Sequence, residues 1–487
     1  MEGKFKAFLG SRKLQLVLFF LVFLLSFGLR LWKYPFYPLT ANAEEYIFVW
    51  HGLSLLEKGV PITWSDLPVY PEENIFWEGI ARNPTQKGEL GVRLISPWLD
   101  QPPLFSLLVG SFSKLYRPEN FTIISTYITR VPMLAISFFS LLFVYLLTKK
   151  LFGYWLGILS LLVYGTVPAI VFGSRLVVPE NLIALSYLGV LYLLLNYFET
   201  QKIWQRNLAI FLAGITGLFK PTGFLLVPFL AFLLWKKKSW KEGILVGVIG
   251  AILFFIPYFW YGFYFGKELF LRVLEYQSLR PAGWSSLNYF ITNPGFSVEV
   301  FLDGFLVIGF FSLVYLIFKK RDEGEELILF SFVFTILTVI ISGGRHDQLT
   351  WYRYPVYPFM SIAIALLVKD LVFNPSFVKS AIFIPLFMAN ADLLENPFWR
   401  VNFFINVKFY RLAFFVLLLP SILAILYKKK ILVKLSRWAI IIAFAFGVFF
   451  NTWVIKGRFN LLCDHTDQCA LPYKVNLLEP FIKSFSR

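Results

Sequence analysis

Residues 14–32 read LQLVLFFLVFLLSFGLRLW, a run interrupted only by Gln15, Ser26 and Arg30 among its polar positions. A helix rising about 1.5 Å per residue needs roughly 20 such residues to cross about 30 Å of hydrocarbon, so this stretch is long enough to span a bilayer. The preceding MEGKFKAFLGSRK is basic, and no small-residue cleavage site follows, which reads as a retained signal anchor with its N-terminus in the cytoplasm. Working outward from this run, comparable apolar segments recur at 131–149, 154–172, 181–198, 207–219, 222–235, 243–264, 300–318, 326–343, 355–371, 379–391, 411–427 and 437–455. The expectation is an all-α polytopic membrane protein of about 13 transmembrane helices. With 58% hydrophobic and 15% charged residues and a mean hydropathy of +0.67, the chain is too apolar for a water-soluble fold of its length.

The formal charge of +17 does not point to nucleic acid. Its cations fall in short clusters between apolar runs: Lys149-Lys150, Lys202 with Arg206, Lys236-Lys237-Lys238 with Lys241, Lys319-Lys320-Arg321, Lys369 with Lys379, and Lys428-Lys429-Lys430 with Lys434. These are alternate loops, so the positive-inside rule puts every cluster in the cytoplasm. Outside lie the long segments 33–130, 265–299, 344–354, 392–410 and the tail from 456, rich in aromatic residues and expected to fold on the membrane surface. Within the first, Pro103–Tyr116 is apolar but short, an expected interfacial or re-entrant helix. The two cysteines, Cys463 and Cys469 in CDHTDQC, would then be outside, where a disulfide is expected.

Several polar groups gather at the outer helix ends. Glu44-Glu45 sits just beyond the first span, where a partly desolvated carboxylate can act as a general base. Asp100-Gln101-Pro102-Pro103 and Arg130-Val131-Pro132 follow, and prolines there would also fix how a helix enters the membrane. Arg175 and Glu180 flank the short outer turn before 181–198, an expected outer ion pair. Lys220-Pro221 reads as a hairpin turn or a kink. Late in the chain, Gly343-Gly344-Arg345-His346-Asp347 precedes Trp351-Tyr352-Arg353-Tyr354-Pro355-Val356-Tyr357-Pro358. A guanidinium held at the interface among tyrosines can grip a phosphate bidentately, although Arg353 also stands where a snorkelling arginine would.

In this order the motifs resemble the GT-C class of membrane glycosyltransferases, in particular the branch of protein O-mannosyltransferases and lipid A aminoarabinose transferases. That family carries an Asp-Glu pair in the first outer loop, a Lys-Pro-Pro, an Arg before the next span, an acid after the third span and Arg-Tyr-X-X-Pro entering a late helix. The matching positions are Glu44-Glu45, Gln101-Pro102-Pro103, Arg130, Glu180, and Arg353-Tyr354 with Pro358 one residue late. Two departures stand out: Glu44 for aspartate, and Gln101 for a lysine that in relatives looks like a phosphate contact. Arg272, Arg280 or Arg345 would compensate for the second. The resemblance implies a GT-C domain over 1–455 with its acidic pair in 33–130, and a short outer tail over 456–487. It also implies an inverting transfer of sugar from a polyprenyl-phosphate donor to an acceptor hydroxyl of unidentified nature. Glu44 and Glu45 are then the catalytic residues, and Gln101, Arg130, Arg353 and Tyr354 contact the donor lipid. A Mg or Mn ion near Glu44, Glu45 and Glu180 is the candidate cofactor, although no ligand motif is recognisable. The competing class is a transporter or flippase for a lipid-linked glycan, which would need ionisable groups near the membrane midplane.

The topology is testable at Glu72. A Glu72→Cys variant in intact cells is expected to react with a membrane-impermeant thiol reagent, and labelling only after permeabilisation would reverse the orientation.

Overall fold

The computed structural model describes residues 11–36, 44–82, 89–116, 123–279, 304–342, 350–389, 407–463 and 474–476. The described residues of each apolar segment identified in the sequence fall mostly on helix. In chain order these are α1 (Arg12–Leu31), α2 (Glu44–Lys58), α3 (Leu104–Tyr116), α4 (Val131–Phe152), α5 (Tyr154–Thr166), α6 (Pro168–Gly173), α7 (Pro179–Thr200), α8 (Ile203–Thr216), α9 (Leu226–Lys237), α10 (Trp240–Ser278), α11 (Gly304–Phe318), α12 (Glu323–Ser342), α13 (Tyr357–Phe373), α14 (Phe377–Met388), α15 (Val407–Tyr427) and α16 (Lys430–Cys463). Among the described residues, six helices are long and apolar enough to cross a membrane by length and composition, which makes this an integral membrane protein. The crossing number of thirteen stays an expectation, because several of the segments fold as shorter or interrupted helices. The 154–172 span, for example, is broken at Val167-Pro168 into α5 and α6.

Two findings correct the sequence reading. The fold is not purely helical: the 33–130 segment carries β1 (Thr63–Trp64), β2 (Ile75–Arg82) and β3 (Glu89–Ile95) in one antiparallel sheet of order β1-β3-β2. Trp77 faces Leu94 and Arg82 faces Glu89 across the β2–β3 pair. A second small ladder pairs β4 (Ile123–Ser125) with β5 (Lys474–Asn476). The 265–299 segment also begins as helix, because α10 kinks at Gly266 and continues to Ser278. The Cys463–Cys469 pairing lies outside the described residues.

Ion pairs show that the lysine clusters share one end of the bundle. Lys236 contacts Glu326 and Lys237 contacts Glu323, both at 2.7 Å, joining the C-terminus of α9 to the N-terminus of α12. Lys150 pairs with Glu199, joining the last turns of α4 and α7. In a bilayer the hydrophobic effect does not drive helices together, so association relies on close packing and polar contacts. Two buried arginines supply the latter. Arg30 of α1 donates to the carbonyls of Tyr164 at 2.9 Å and Gly165 at 3.2 Å, groups freed where α5 ends. Arg175, just beyond α6, donates in return to the Leu29 carbonyl near the end of α1.

Helix α2 is not among the spans; it lies against α3 at the end opposite the lysines. Their backbones meet so closely that a Cβ on Gly52 would sit 1.9 Å from the Ser106 carbonyl oxygen, and one on Gly110 2.6 Å from the Gly52 carbonyl carbon. Only glycine permits that approach. Beside it, fully buried His51 accepts from or donates to Ser106 Oγ at 2.9 Å through Nδ1 and the Tyr261 hydroxyl of α10 at 2.8 Å through Nε2. The sheet is tied to the same helix, since Ser54 Oγ donates to the Ile62 carbonyl at 3.0 Å and accepts from Ile62 N at 2.8 Å. Helix α2 is therefore held from three sides.

Burial pulls the His51 pKa down to about 3 from 6.5, so the folded protein keeps it neutral. Between those values the unfolded chain binds the extra proton, and stability falls as pH drops from 6.5 towards 3, by about 1.4 kcal/mol per unit at most. His51→Gln is expected to lower the thermal midpoint in detergent at pH 7 yet flatten its decline towards pH 5. An unchanged slope would remove His51 from the acid response.

Candidate active site

The acidic pair opens α2. Glu45 is 2% exposed and Arg130 fully buried, and the two meet bidentately: Nε to Oε1 at 2.9 Å and Nη2 to Oε2 at 2.8 Å. Arg130 also donates Nη1 to the Tyr34 carbonyl at 2.8 Å, which joins the end of the α1 segment to the start of α4. Val177 N donates to Glu45 Oε1 at 3.1 Å from the turn between α6 and α7. Both oxygens of this carboxylate are thus engaged by donors. Glu44 belongs to the first turn of α2, but its side chain lies outside the described residues.

Three residues beyond Val177, Glu180 stands in the first turn of α7 and is 2% exposed. Its expected partner was Arg175, but Arg175 is turned to the Leu29 carbonyl, and Lys220 Nζ takes that place at 2.6 Å from Glu180 Oε1. Asn181 shapes this turn by donating Nδ2 to the carbonyls of Gly173 and Leu176, each at 3.0 Å. Lys220 is itself buried and lies 4.1 Å from the ring centroid of Tyr352, a cation–π contact to the residue next to Arg353. The proline at 221 starts a 3-10 turn over Pro221–Leu225 that leads into α9, which sets the lysine between α8 and α9.

Arg353 and Tyr354 lie in the short connection leading to α13, 4% and 3% exposed. Tyr354 packs on Gly173, where a Cβ would come within 2.5 Å of the Tyr354 Cζ, so the phenol reaches the same turn that holds Glu45 and Glu180. The electrostatics agree. Burial above all, then Tyr357, Glu180 and Glu45, push the Tyr354 pKa well up, with Arg353 acting the other way. Burial likewise lowers the Arg353 pKa against the phenols of Tyr357 and Tyr354, but a guanidinium stays charged in such settings. Glu45 with Arg130, Glu180 with Lys220, and Arg353 with Tyr354 therefore converge at one end of α4, α7 and α13. Helix α7 runs from Glu180 to Glu199, so the lysine clusters are about 30 Å away at its other end.

Not every expected residue joins this group. Gln101 is half-buried before α3, its Oε1 without a hydrogen-bond partner among the described residues. The adjacent Asp100 is held by Ser65 Oγ at 2.8 Å and by the Tyr70 hydroxyl. Arg272 is exposed on the extension of α10 beyond its kink; Arg280 and Arg345 lie outside the described residues. The cation that the sequence reading missed is Lys220. It was legible as an ionisable residue between two apolar runs, which is a functional signal by default, but the neighbouring proline made it look like turn punctuation.

For the Mg or Mn ion expected near Glu44, Glu45 and Glu180, two of the three carboxylates already meet buried cations, Arg130 and Lys220, which match their charge. Among the described residues, no three His, Cys, Asp or Glu side chains form a ligand group.

Comparison with known proteins agrees with the architecture. The sequence family described as dolichyl-phosphate-mannose-protein mannosyltransferase matches residues 100–261, about a third of the chain. No curated protein matches. Among solved structures, ArnT from Cupriavidus metallidurans bound to undecaprenyl phosphate is similar at a TM-score of 0.52 and 16% identity, over 93% of this chain and 80% of that one. The apo form of the same protein gives 0.51 and 16%, over 94% and 79%. The chain thus resembles the GT-C glycosyltransferases of the ArnT and protein mannosyltransferase type, and the matched region contains Gln101, Arg130, Glu180 and Lys220. Nothing in the fold or these similarities favours a flippase.

The ion pairs predict their own test. Arg130→Ala leaves Glu45 buried without its cation and is expected to cost about 3–5 kcal/mol, lowering the thermal midpoint in detergent. Adding Glu45→Leu should recover part of that loss, because the stranded charge is gone. Additive losses would mean that the two side chains are not coupled.

Proposed function

We propose that this protein is an inverting glycosyltransferase that moves a sugar from a polyprenyl monophosphate to an acceptor hydroxyl at the extracytoplasmic membrane surface. The observation that carries this reading is the convergence of the acid-bearing helix α2, the Glu180–Lys220 pair and the Arg353–Tyr354 turn at one end of the bundle. The similar ArnT structure contains undecaprenyl phosphate, and we assign the same chemical class of donor here.

In this mechanism Glu44 accepts the proton of the acceptor hydroxyl as its oxygen attacks the anomeric carbon. The bond from that carbon to the phosphate oxygen breaks, and the polyprenyl phosphate leaves with the electron pair. A phosphate is a weakly basic leaving group, so fixed cations suffice and no general acid is required. Arg353 grips it with a planar fork. Lys220 supplies the second cation, in place of the lysine that the family pattern has where this chain has Gln101. Arg130 is assigned to holding Glu45 rather than to the donor, since its donors already face Glu45 and the Tyr34 carbonyl. Glu45 is then the residue that fixes α2, and Glu44 the base. Apolar surface between helices accommodates the prenyl chain.

Glu44→Gln keeps size and hydrogen-bonding reach but cannot take the proton, so single-turnover transfer should fall by roughly 10²–10⁴-fold with donor affinity little changed. A loss confined to donor binding would make Glu44 an architectural residue. For the phosphate, Arg353→Lys should lose turnover although charge is kept, because an ammonium cannot reproduce the fork. Wild-type turnover in both Arg353→Lys and Arg353→Ala would return Arg353 to a membrane-interface role.

A further inference from the structure

At the lysine-rich end, far from the carboxylates, α9 and α10 enclose a groove of about 600 Å³. Its walls are apolar, formed chiefly by Val227, Pro228 and Ala231 of α9 and Ile244, Gly247 and Val248 of α10. Two glycines give it shape. At Gly243 the helices nearly touch, since a Cβ there would lie 2.8 Å from the Ala231 carbonyl oxygen. One turn deeper, a Cβ on Gly247 would meet only Ala231 Cβ, at 3.8 Å, so space opens beside it. From Val227 to Trp235 the groove runs about 12 Å along the helix axis.

The mouth differs from the floor. Trp235 and Trp240 flank it, 60% and 58% exposed, as tryptophans do at the depth where hydrocarbon gives way to headgroups. Lys238 and Lys241 are exposed just beyond them. Lys236 and Lys237 are taken up by Glu326 and Glu323, but Lys238 contacts Gln201 and the Tyr197 ring, and Lys241 lies over the Trp240 ring. Among the described residues, neither Lys238 nor Lys241 has a carboxylate within ion-pair distance. The turn between α9 and α10 carries both cations just beyond the collar, Lys241 against Trp240 and Lys238 towards Gln201 and Tyr197.

We infer that this groove binds an anionic glycerophospholipid of the leaflet on the lysine-rich side, one acyl chain along Val227, Ala231 and Gly247 and the phosphodiester between Lys238 and Lys241. A zwitterionic lipid would seat its chain equally well, but its own cation would face the two lysines. The site therefore selects by headgroup charge. It is separate from the donor-phosphate site at the opposite end, and it stands whether or not that assignment holds.

Native mass spectrometry of the full-length protein, exchanged into equal amounts of dioleoylphosphatidylglycerol and dioleoylphosphatidylcholine, tests it. Retention is expected to favour phosphatidylglycerol by on the order of 10-fold. The surface double variant Lys238→Gln/Lys241→Gln should bring the ratio to about 1, and Gly247→Leu, which fills the slot, should reduce retention of phosphatidylglycerol with both lysines intact. Equal retention by the wild type overturns the proposal, as does a preference that survives the lysine variant. So does a Gly247→Leu variant, folded by its thermal midpoint, that retains the lipid as the wild type does. A groove that instead retains an added polyprenyl phosphate in preference to phosphatidylglycerol would also contradict it.

Discussion

The Glu45–Arg130 pair is the contact on which the rest of the site depends. A carboxylate this deeply buried is tolerated only when a cation and further donors meet its lone pairs, and each of its three donors comes from a specific place. Arg130 Nε and Nη2 come from the threshold of α4, and Val177 N from the turn before α7. One side chain near the start of α2 thereby sets the helix against two spans. The backbone bearing Glu44 is held with it, and the Gly52–Gly110 contact and the His51 hydrogen bonds secure the far side of the same helix.

Around this pair the molecule distributes its buried charge by function. Arg30 and Arg175 close helix ends, Arg130 neutralises Glu45, and Lys220 neutralises Glu180. The Arg353 guanidinium lies within electrostatic reach of the Tyr357 and Tyr354 phenols, whereas the fork of Arg130 is filled by Glu45.

Much of this was legible in the sequence, and the failures have physical reasons. Hydropathy located the candidate spans because the bilayer demands a length and composition that few other segments meet, but it passed over α2. The same lens missed the sheet: Ile75–Arg82 and Glu89–Ile95 mix charge, glycine and β-branched residues, and their pairing is a matter of register between strands, which hydropathy does not report. The order of Glu44-Glu45, Arg130, Glu180 and Arg353 picked out positions that the fold brings to one end of the bundle, but not their partners. Arg175 is near Glu180 in sequence and Lys220 is forty residues away, yet Lys220 makes the contact, because the turn bracketed by Asn181 directs Arg175 towards α1. Gln101 for lysine looked like a missing charge to be made up by Arg272, Arg280 or Arg345; the buried lysine beside Pro221 offers a cation that sequence adjacency could not assign.

The central claim is that a prenyl-linked phosphate sits at the carboxylate end of the bundle, against Arg353 and Lys220 and within reach of Glu44. A cryo-EM structure of the protein in nanodiscs supplied with a polyprenyl phosphate tests it most directly. The account predicts phosphate density beside the Arg353 guanidinium, with the Glu44 carboxylate facing the same space and the prenyl chain leaving between helices. Density for the phosphate at the lysine-rich end, or a donor bound with neither Arg353 nor Glu44 nearby, would contradict it.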